Sequence, residues 1–222
     1  MDPRPIVLAP SLLAANFANL AHDLNQLTDA GITALHLDIM DGQFVPNLSF
    51  GLPVVESIRA ISPLFFDVHL MISHPSLYIS HFAKAGADLI TFHLEVAEDV
   101  NQNIAAIKQT GRQVGLAINP NTALELLLPY VKDLDQVTIM TVEAGFGGQA
   151  FLPDMLSKIK RLRAYADAYG VALDIQVDGG VNATNIQAVV EAGANVIVAG
   201  SAVFKGDGIG VNVAQLNKLI NR

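Results

Sequence analysis

Short apolar runs alternate with amphipathic stretches along the whole chain. Eight runs rich in β-branched and aromatic residues have the length and composition of buried β-strands. In residues 17–27 and 155–162, which lie between such runs, apolar side chains recur with the 3.6-residue period of an α-helix. The pattern therefore predicts strands that alternate with helices. The predicted strands cover residues 5–11, 32–40, 64–71, 88–94, 113–119, 135–142, 172–180 and 195–201.

Glycine recurs at the predicted junctions between helices and strands. The fragments DAGIT (29–33), KAGAD (84–88) and EAGAN (191–195) share an Ala-Gly pair, and Gly111 and Gly170 hold comparable positions. Glycine adopts the left-handed conformation that ends many helices at little steric cost. A helix–loop–strand unit repeated over this length predicts an α/β fold of the (β/α)8 TIM barrel type rather than an open doubly wound sheet. We expect one barrel domain spanning residues 1–222.

The composition narrows the class of protein. Of the 222 residues 51% are hydrophobic, and the net charge is −8 without an offsetting basic cluster, which argues against binding to nucleic acid. No apolar run approaches the ~20 residues of a transmembrane helix, and the N-terminus lacks the basic and apolar segments of a signal peptide. Because there is no cysteine, disulfides are impossible and any metal site must use nitrogen and oxygen ligands. We therefore expect a soluble cytoplasmic protein with no nucleic-acid or membrane partner.

Each predicted strand ends in a polar side chain. The carboxyl ends of the strands of a TIM barrel meet at one rim, where the enzymes of this fold carry their active sites. A barrel with only a structural role would be expected to keep some of these positions apolar, so the pattern favours a functional site. The eight strand-end residues are Ser11, Asp38, His69, His93, Asn119, Thr141, Asp178 and Ser201.

Residues with the chemistry of metal ligands occur on three of these strands. In the segment LHLDIMDG (35–42), His36 and Asp38 point to one face, because side chains at i and i+2 of a strand share a face. A hydrogen-bonded His–Asp pair inside the core would explain that segment equally well on its own. His69 and Asp178, on the third and seventh predicted strands, add a second imidazole and a second carboxylate. The four together predict one divalent ion, and Zn²⁺, Fe²⁺, Mn²⁺ and Co²⁺ all suit the donor set.

The other four histidines have different places in the pattern. His93 ends a strand, and we predict that it forms a hydrogen bond to a ligand rather than binding the ion itself. His22, His74 and His81 fall in helical or loop segments and are predicted to lie on the surface.

Glycine also follows three of the predicted strands. The segments are AGFGGQ (144–149), DGGVN (178–182) and AGSAVF (199–204). Backbone N–H groups in such loops can cradle an anion without a cationic side chain. Turns alone would explain each glycine pair, but loops after strands 7 and 8 are the usual phosphate site of this fold. We therefore predict a phosphate-bearing ligand.

A bound cation, two carboxylates and a phosphate cradle together indicate one class of reaction. A divalent ion that coordinates a carbonyl oxygen and a neighbouring hydroxyl oxygen acidifies the adjacent C–H bond and stabilises the enediolate. Asp38 could remove that proton from one face and Asp178 could return one on the other face, which inverts the configuration at carbon. Because a free aspartate with a pKa of about 3.9 is a weak base, the metal must supply much of the activation.

These residues lie in blocks that resemble the ribulose-phosphate 3-epimerases over essentially the whole chain. The order and spacing of the blocks are far more specific than any single glycine pattern. The resemblance implies a TIM barrel of the ribulose-phosphate-binding type and interconversion of D-ribulose 5-phosphate and D-xylulose 5-phosphate in the pentose phosphate pathway. It also implies a homo-oligomer. The matching blocks are LAPSLLAANF (8–17), LHLDIMDGQFVPN (35–47), DVHLM (67–71), MTVEAGFGGQAF (140–151), VDGGVN (177–182) and AGSAVF (199–204).

The resemblance implies a role for each matched residue. Asp38 is the proton acceptor, Asp178 is the proton donor, and the metal ligands are His36, Asp38, His69 and Asp178. Met40, Met71 and Met140 line the cavity near the enediolate, and a gap-filling core role suits the same positions. The residues implied to contact the substrate are Ser11, His69 and Asp178 at the sugar, and Gly145, Phe146, Gly147, Gly148, Gly179, Gly180, Gly200 and Ser201 around the phosphate.

One position departs from the family pattern. The family usually has proline where Ala144 stands, before the glycines of the loop. Alanine leaves the backbone φ angle less restricted than proline does. We therefore expect this loop to be more mobile than in the family.

Three alternative functions remain compatible with parts of the pattern. A 3-epimerase of a six-carbon ketose phosphate, such as allulose 6-phosphate, would use the same mechanism and differ only in cavity volume. A related sugar-phosphate decarboxylase carries an Asp-x-Lys-x-x-Asp motif, whereas the corresponding run after Asp38 has Met40 and no lysine. A non-catalytic sugar-phosphate-binding barrel would not need both aspartates to face the ligand.

Overall fold

The computed structural model describes residues 4–220 and contains one eight-stranded parallel sheet. In chain order the strands are β1 (Val7–Pro10), β2 (Ala34–Met40), β3 (Phe65–Met71), β4 (Leu89–His93), β5 (Gln113–Ile118), β6 (Gln136–Met140), β7 (Asp174–Asp178) and β8 (Val196–Ala199). Their order in the sheet is β1-β8-β7-β6-β5-β4-β3-β2, and a parallel bridge between Ser11 and His36 joins the two outer strands. The sheet therefore closes into the predicted barrel, with each strand inside its predicted range.

Helices follow most of the strands and pack on the outside of the barrel. Within residues 4–220 the α-helices are α1 (Leu20–Asp29), α2 (Leu52–Arg59), α3 (Ile79–Ala85), α4 (Val100–Gln109), α5 (Met155–Ala168), α6 (Ile186–Glu191), α7 (Ser201–Phe204) and α8 (Ile209–Ile220). The longest has 14 residues, and none in the described part of the chain is long and apolar enough to cross a membrane.

The connection between β5 and β6 differs from the predicted alternation. Two short 3₁₀ segments, Leu124–Leu126 and Leu128–Asp133, occupy the place of an α-helix. Pro129 explains the difference, because it lacks the backbone N–H that an α-helix interior requires and its ring clashes with the carbonyl four residues earlier. It is tolerated here in the first turn of the second 3₁₀ segment.

The predicted glycine stops are present at every junction named above. Gly86, for example, has a φ angle of 112°, and its backbone N–H donates to the carbonyl of Phe82 at the end of α3. The left-handed φ angle of each glycine meets the requirement of a helix end, so this prediction is confirmed. The five residues are Gly31, Gly86, Gly111, Gly170 and Gly193.

The two faces of each strand have different surroundings. On β2, Leu35, Leu37 and Ile39 join the main apolar core, which also contains buried residues of the outer helices. His36 and Asp38, on the other face, point into the barrel and are also buried. The barrel interior is therefore polar near its carboxyl-terminal end, and that polarity places the candidate site.

Candidate active site

Strand register brings the four predicted ligands close together inside the barrel. In the pairing of β2 with β3, Asp38 lies beside His69 and His36 beside Asp67. Asp178 is the last residue of β7 and lies beside Met140 of β6. Because inward-facing side chains of parallel strands converge at the rim, the two imidazoles and the two carboxylates meet inside the barrel.

The four side chains each offer one atom to a common point. His36 Nε2 lies 3.3 Å from Asp38 Oδ1 and 3.6 Å from Asp178 Oδ2. His69 Nδ1 lies 3.8 Å and 3.4 Å from the same two oxygens, and 3.3 Å from His36 Nε2. All four atoms lie within 4.8 Å of one another. They form a compact cluster whose atoms are all potential ligands.

The five separations of 3.3–3.8 Å fit one shared divalent ion, because two ligand atoms that each lie about 2.0–2.2 Å from an ion can be at most about 4.4 Å apart. The donor set also suits such an ion chemically, because two carboxylates balance its charge and neutral imidazoles are common ligands of it. The residues therefore could hold one divalent cation, and their chemistry leaves zinc, iron, manganese and cobalt as candidates.

His36 and Asp38 each have a second polar atom that does not face the common point, and a buried carboxylate or hydroxyl group forms a hydrogen bond with that atom. His36 Nδ1 lies 2.8 Å from Asp67 Oδ2, so its N–H donates to that carboxylate when Nε2 is the ligand. Asp67 is fully enclosed and also accepts from the Gln176 amide. The Ser11 hydroxyl donates to Asp38 Oδ2, the oxygen that does not face His36. The ligand orientations are thus set by partners on other strands.

His69 is held differently, through a second histidine. Its Nε2 lies 2.9 Å from His93 Nε2, and the two ring planes are inclined by only 15° with centroids 4.9 Å apart, so the rings meet edge to edge. His93 Nδ1 in turn lies 3.1 Å from Glu95 Oε2. His93 therefore forms the predicted hydrogen bond to a ligand, whereas the residues predicted for the surface, His22, His74 and His81, are exposed.

Electrostatics inside the cluster favour charged forms of all four ligands in the metal-free protein. Burial works against charge, but attraction to Asp38 and Asp67 raises the pKa of His36, and hydrogen bonds with Asp178 and Asp38 raise the pKa of His69. Burial likewise opposes the pKa shifts of the two aspartates, yet the neighbouring imidazoles lower both values. Protons on the imidazoles thus take the place of a cation, and metal binding must displace them.

His93 and Glu95 form the next pair of groups, and here the pKa of the histidine is lowered rather than raised. Burial lowers the pKa of His93 to about 4, so the ring is neutral near pH 7. Burial alone would raise the pKa of Glu95, but hydrogen bonds from His93, Thr122 and the Asn119 backbone N–H lower it to about 2.

A cavity of about 420 Å³ lies over the cluster at the carboxyl-terminal rim. Most of the predicted catalytic, substrate-binding and cavity residues line it. His36 and His69 do not, because both are fully buried. The predicted residues on the wall are Ser11, Asp38, Met40, Met71, Met140, Gly145, Phe146, Gly147, Gly148, Asp178, Gly179, Gly180, Gly200 and Ser201.

Side chains that the sequence pattern did not single out hold the loop after β6. The Asn47 amide donates to the Gly145 carbonyl at 2.7 Å, and the Gln149 amide donates to the carbonyls of Glu143 and Phe146. Ala144 packs with Met40 and other apolar residues at the cavity edge. Three amide hydrogen bonds thus restrain the loop in which Ala144 replaces the usual proline.

Two glycines of the loop after β7 are required by close packing. A Cβ atom at Gly179 would lie 2.3 Å from Val142 Cγ2, and one at Gly180 would lie 2.5 Å from the backbone nitrogen of Phe151. Both residues also have left-handed φ angles, of 120° and 69°. Any side chain there would push apart the loops after β6 and β7, so these glycines bring the two backbones together at the cavity wall.

One charged residue of the cavity wall was not predicted from the sequence. Lys205 follows α7, lines the cavity with Gly200 and Ser201, and is the one cationic side chain among the lining residues of the described chain. The sequence pattern predicted an anion cradle without a cation, because Lys205 lies beyond the glycine segment in a polar stretch. Its sequence position five residues after Gly200 is the signal that could have indicated it. The other lining residues not singled out are Leu13, Ala14, Asn47, Val142, Gln149, Val181 and Val198.

The chain is similar in sequence to proteins of one family. Residues 7–204 match the Ribulose-phosphate 3 epimerase family. The chain is 45% identical to the ribulose-phosphate 3-epimerase of Bacillus subtilis over 200 residues, which cover 90% of this chain and 92% of that protein. It is 43% identical to the cytoplasmic isoform of ribulose-phosphate 3-epimerase from Oryza sativa over 217 residues, which cover 96% and 93% of the two chains.

The fold is shared with proteins of much lower sequence similarity. The crystal structure of KGPDC from Streptococcus mutans superposes with a TM-score of 0.75 at 13% identity and covers 99% of both chains. At this identity the likeness concerns the fold alone, and it agrees with the predicted barrel.

The buried neutral state of His93 predicts a pH dependence of stability in the metal-free protein. The unfolded chain takes up a proton at this residue near pH 6.5, whereas the folded chain does so only near pH 4. Between these values the unfolded state binds more protons, so stability falls as the pH falls, by up to about 3 kcal/mol from this residue. His93→Gln should remove that contribution, as measured by urea unfolding between pH 4.5 and 7 at ~25 °C.

The matched control is His81→Gln, which replaces an exposed imidazole on α3. This variant should keep the wild-type pH dependence. Equal slopes for wild type and His93→Gln would contradict the neutral state assigned to His93.

Proposed function

The chain belongs to the ribulose-phosphate 3-epimerase family, whose members are isomerases that act on carbohydrates, and on that premise we propose that it interconverts D-ribulose 5-phosphate and D-xylulose 5-phosphate through two aspartates. One observation carries this proposal: Asp38 of β2 and Asp178 of β7 line the same cavity and converge on the same two imidazoles. Two carboxylates from separate strands can serve the two faces of a planar intermediate.

We propose that His36, Asp38, His69 and Asp178 hold one divalent cation. When bound, the cation supplies Lewis-acid polarisation of the substrate carbonyl and offsets the negative charge that develops on the enediolate. The support is the set of ligand-atom separations, between 3.3 and 3.8 Å for the five pairs that involve a histidine. The two imidazoles are fully buried and do not line the cavity, which leaves the cavity side of the site to the substrate.

Proton transfer is assigned to the carboxylates that line the cavity. Asp38 takes the C3 proton of ribulose 5-phosphate, which leaves an enediolate across C2 and C3. Asp178, which must hold a proton at this stage, delivers it to the opposite face of C3, and the two residues exchange these roles in the reverse reaction. The Ser11 hydroxyl, hydrogen-bonded to Asp38 Oδ2, positions this base, and its place on the cavity wall would let it contact the sugar. Met40, Met71 and Met140 give that part of the wall an apolar surface, which limits water near the reacting carbon.

The phosphate end of the substrate is assigned to the glycine loops. Gly179 and Gly180 bring the loops after β6 and β7 into contact, and the segments around Gly145–Gly148 and Gly200–Ser201 complete this side of the wall. Backbone N–H groups in such loops suit a phosphate. Lys205 adds a positive charge at the same side of the cavity.

The cellular setting follows the family premise. We propose that the protein acts in the cytoplasm as a homo-oligomer with one barrel domain over residues 1–222. The support for the compartment is the similarity to a relative whose name specifies a cytoplasmic isoform, and the oligomer rests on the family resemblance alone.

The two-aspartate assignment predicts a separation of proton exchange from epimerisation. The wild type in deuterated water should convert D-ribulose 5-phosphate to D-xylulose 5-phosphate and carry deuterium into C3. Asp178→Asn should lose about 10²- to 10⁴-fold in turnover, because the second acid is gone, yet still exchange the C3 proton of ribulose 5-phosphate through Asp38. NMR of both sugars measures exchange and epimerisation together.

Asp133→Asn, which removes an exposed carboxylate paired with Lys108, is the matched control and should behave as wild type. Asp38→Asn should show the reverse result: it should exchange the C3 proton of xylulose 5-phosphate but not that of ribulose 5-phosphate. Undiminished epimerisation by Asp178→Asn would refute the assignment. Faster conversion of allulose 6-phosphate than of ribulose 5-phosphate by the wild type would replace the proposed substrate while keeping the mechanism.

Removal of metal should abolish turnover. Dialysis against a chelator should leave a folded but inactive protein, because the uncompensated enediolate is too high in energy for an aspartate base to form. Adding Zn²⁺, Mn²⁺, Co²⁺ or Fe²⁺ separately should restore activity, and metal analysis by mass spectrometry should give one ion per chain. Full activity with metal reduced to background would contradict the assigned site.

Lys205 should contribute to substrate binding and little to turnover. Lys205→Met keeps much of the apolar stem and removes the charge, so we expect a rise in KM of about fivefold, or about 1 kcal/mol, with kcat nearly unchanged. The effect should shrink at high salt because the residue is exposed. Lys160→Met, at an exposed position on α5, is the charge-matched control and should leave KM unchanged. An unaltered KM for Lys205→Met would exclude the assigned contact.

A further inference from the structure

A chain of three side chains leads from the ligand cluster to the protein surface. His69 Nε2 lies 2.9 Å from His93 Nε2, and His93 Nδ1 lies 3.1 Å from Glu95 Oε2. Both imidazoles are fully buried, whereas the Glu95 side chain keeps 22% exposure. The proton transfers assigned above do not involve His93 or Glu95.

The geometry allows one direction of donation along this chain when a metal is bound. His69 Nδ1 faces Asp38 and Asp178, and it can bind a cation only without a proton. The proton of His69 then lies on Nε2 and needs an acceptor, which must be the lone pair of His93 Nε2. His93 is therefore neutral with its proton on Nδ1, and that N–H donates to Glu95.

Glu95 fixes this direction because an ionised carboxylate can only accept. Its second oxygen, Oε1, accepts from the Asn119 backbone N–H at 2.7 Å and from the Thr122 hydroxyl. The loop that carries these donors is held by Lys158, whose ammonium donates to the carbonyls of Pro120 and Thr122 at 2.7 Å each. The carboxylate is thus held on both sides by donors.

We propose that Glu95 and His93 are positioning residues that fix the tautomer of His69, so that its Nδ1 lone pair faces the metal. This inference rests on the metal site of the proposed function. The two histidine ligands would then be oriented by different means: His36 directly by the buried Asp67, and His69 through His93 by a carboxylate near the surface.

Glu95→Gln is the most direct test because it keeps the shape of the side chain but replaces one carboxylate oxygen, an acceptor, with an NH₂ group, a donor. The backbone N–H of Asn119 is fixed and must donate to the amide oxygen of the new side chain, so the amide NH₂ faces His93 Nδ1. His93 must then carry its proton on Nε2 and donate toward His69, which disfavours the metal-binding tautomer. We expect the affinity for Zn²⁺, measured by competition with a chromophoric chelator, to fall by about 10- to 100-fold.

A second measurement reports the tautomer without metal or activity. Two-bond ¹H–¹⁵N correlation spectra of the metal-free, ¹⁵N-histidine-labelled protein should place the His93 proton on Nδ1 in the wild type and on Nε2 in Glu95→Gln. Glu125→Gln, which removes an exposed carboxylate paired with Arg161, is the charge-matched control and should change neither readout.

Two substitutions of the middle residue separate positioning from packing. His93→Leu fills the space but offers no acceptor to His69, and it should lose Zn²⁺ affinity like Glu95→Gln. His93→Gln can present its amide oxygen to His69 Nε2–H, and it should recover most of the wild-type affinity.

The outcomes separate this inference from the proposed function. Wild-type affinity for Zn²⁺ in both Glu95→Gln and His93→Leu, or a wild-type His93 proton on Nε2, would overturn the inference while leaving the metal site intact. Failure of the wild type to bind Zn²⁺ would instead refute the metal site, and the His93 spectra would still decide the direction of the hydrogen-bond chain.

Discussion

The convergence of two carboxylates and two imidazoles on one point inside the barrel is the constraint on which the rest of the structure depends. Isolated buried carboxylates are costly, and the cost is offset only by opposite charge and complete hydrogen bonding. Asp38 and Asp178 obtain opposite charge from protons on His36 and His69 in the metal-free protein, and a divalent cation would supply it otherwise. Either way the four residues act as one unit, and a substitution of any one of them leaves the charges of the others unbalanced.

That requirement spreads outward through the polar interior of the barrel. Asp67 is buried because His36 needs an acceptor, and the Gln176 amide donates to Asp67 in turn. The Gln176 carbonyl accepts from the Thr138 hydroxyl at 2.8 Å, which extends the network across β6 and β7. A fully connected buried network of this kind fixes side-chain orientation more than it adds net stability. The network of Asp67, Gln176 and Thr138 is therefore best understood as support for the cluster of four ligands.

The sequence contains most of the fold because the fold is periodic. Apolar runs and glycine stops located all eight strands and five helix ends, whereas the β5–β6 connection was predicted as a helix because Pro129 was not weighed against the helical pattern. His36, Asp38, His69 and Asp178 were recognisable because polar side chains are unusual within buried apolar strands. Glu95 and Lys205 follow the ends of elements, where polar residues are expected, and only the tertiary structure shows what they approach.

The arrangement of charge explains how an acidic protein can accept an anionic substrate. Exposed charges more than about 8–10 Å away are largely screened at physiological salt, so the cavity itself decides the potential that a phosphate meets. Protons or a cation neutralise Asp38 and Asp178, which leaves Lys205 as the uncompensated charge on the wall. If the imidazoles lose their protons and no cation replaces them, two bare carboxylates outweigh that lysine. Neutralisation of the aspartates is thus a condition for binding the sugar phosphate as well as for the chemistry, and the two processes share one charge balance.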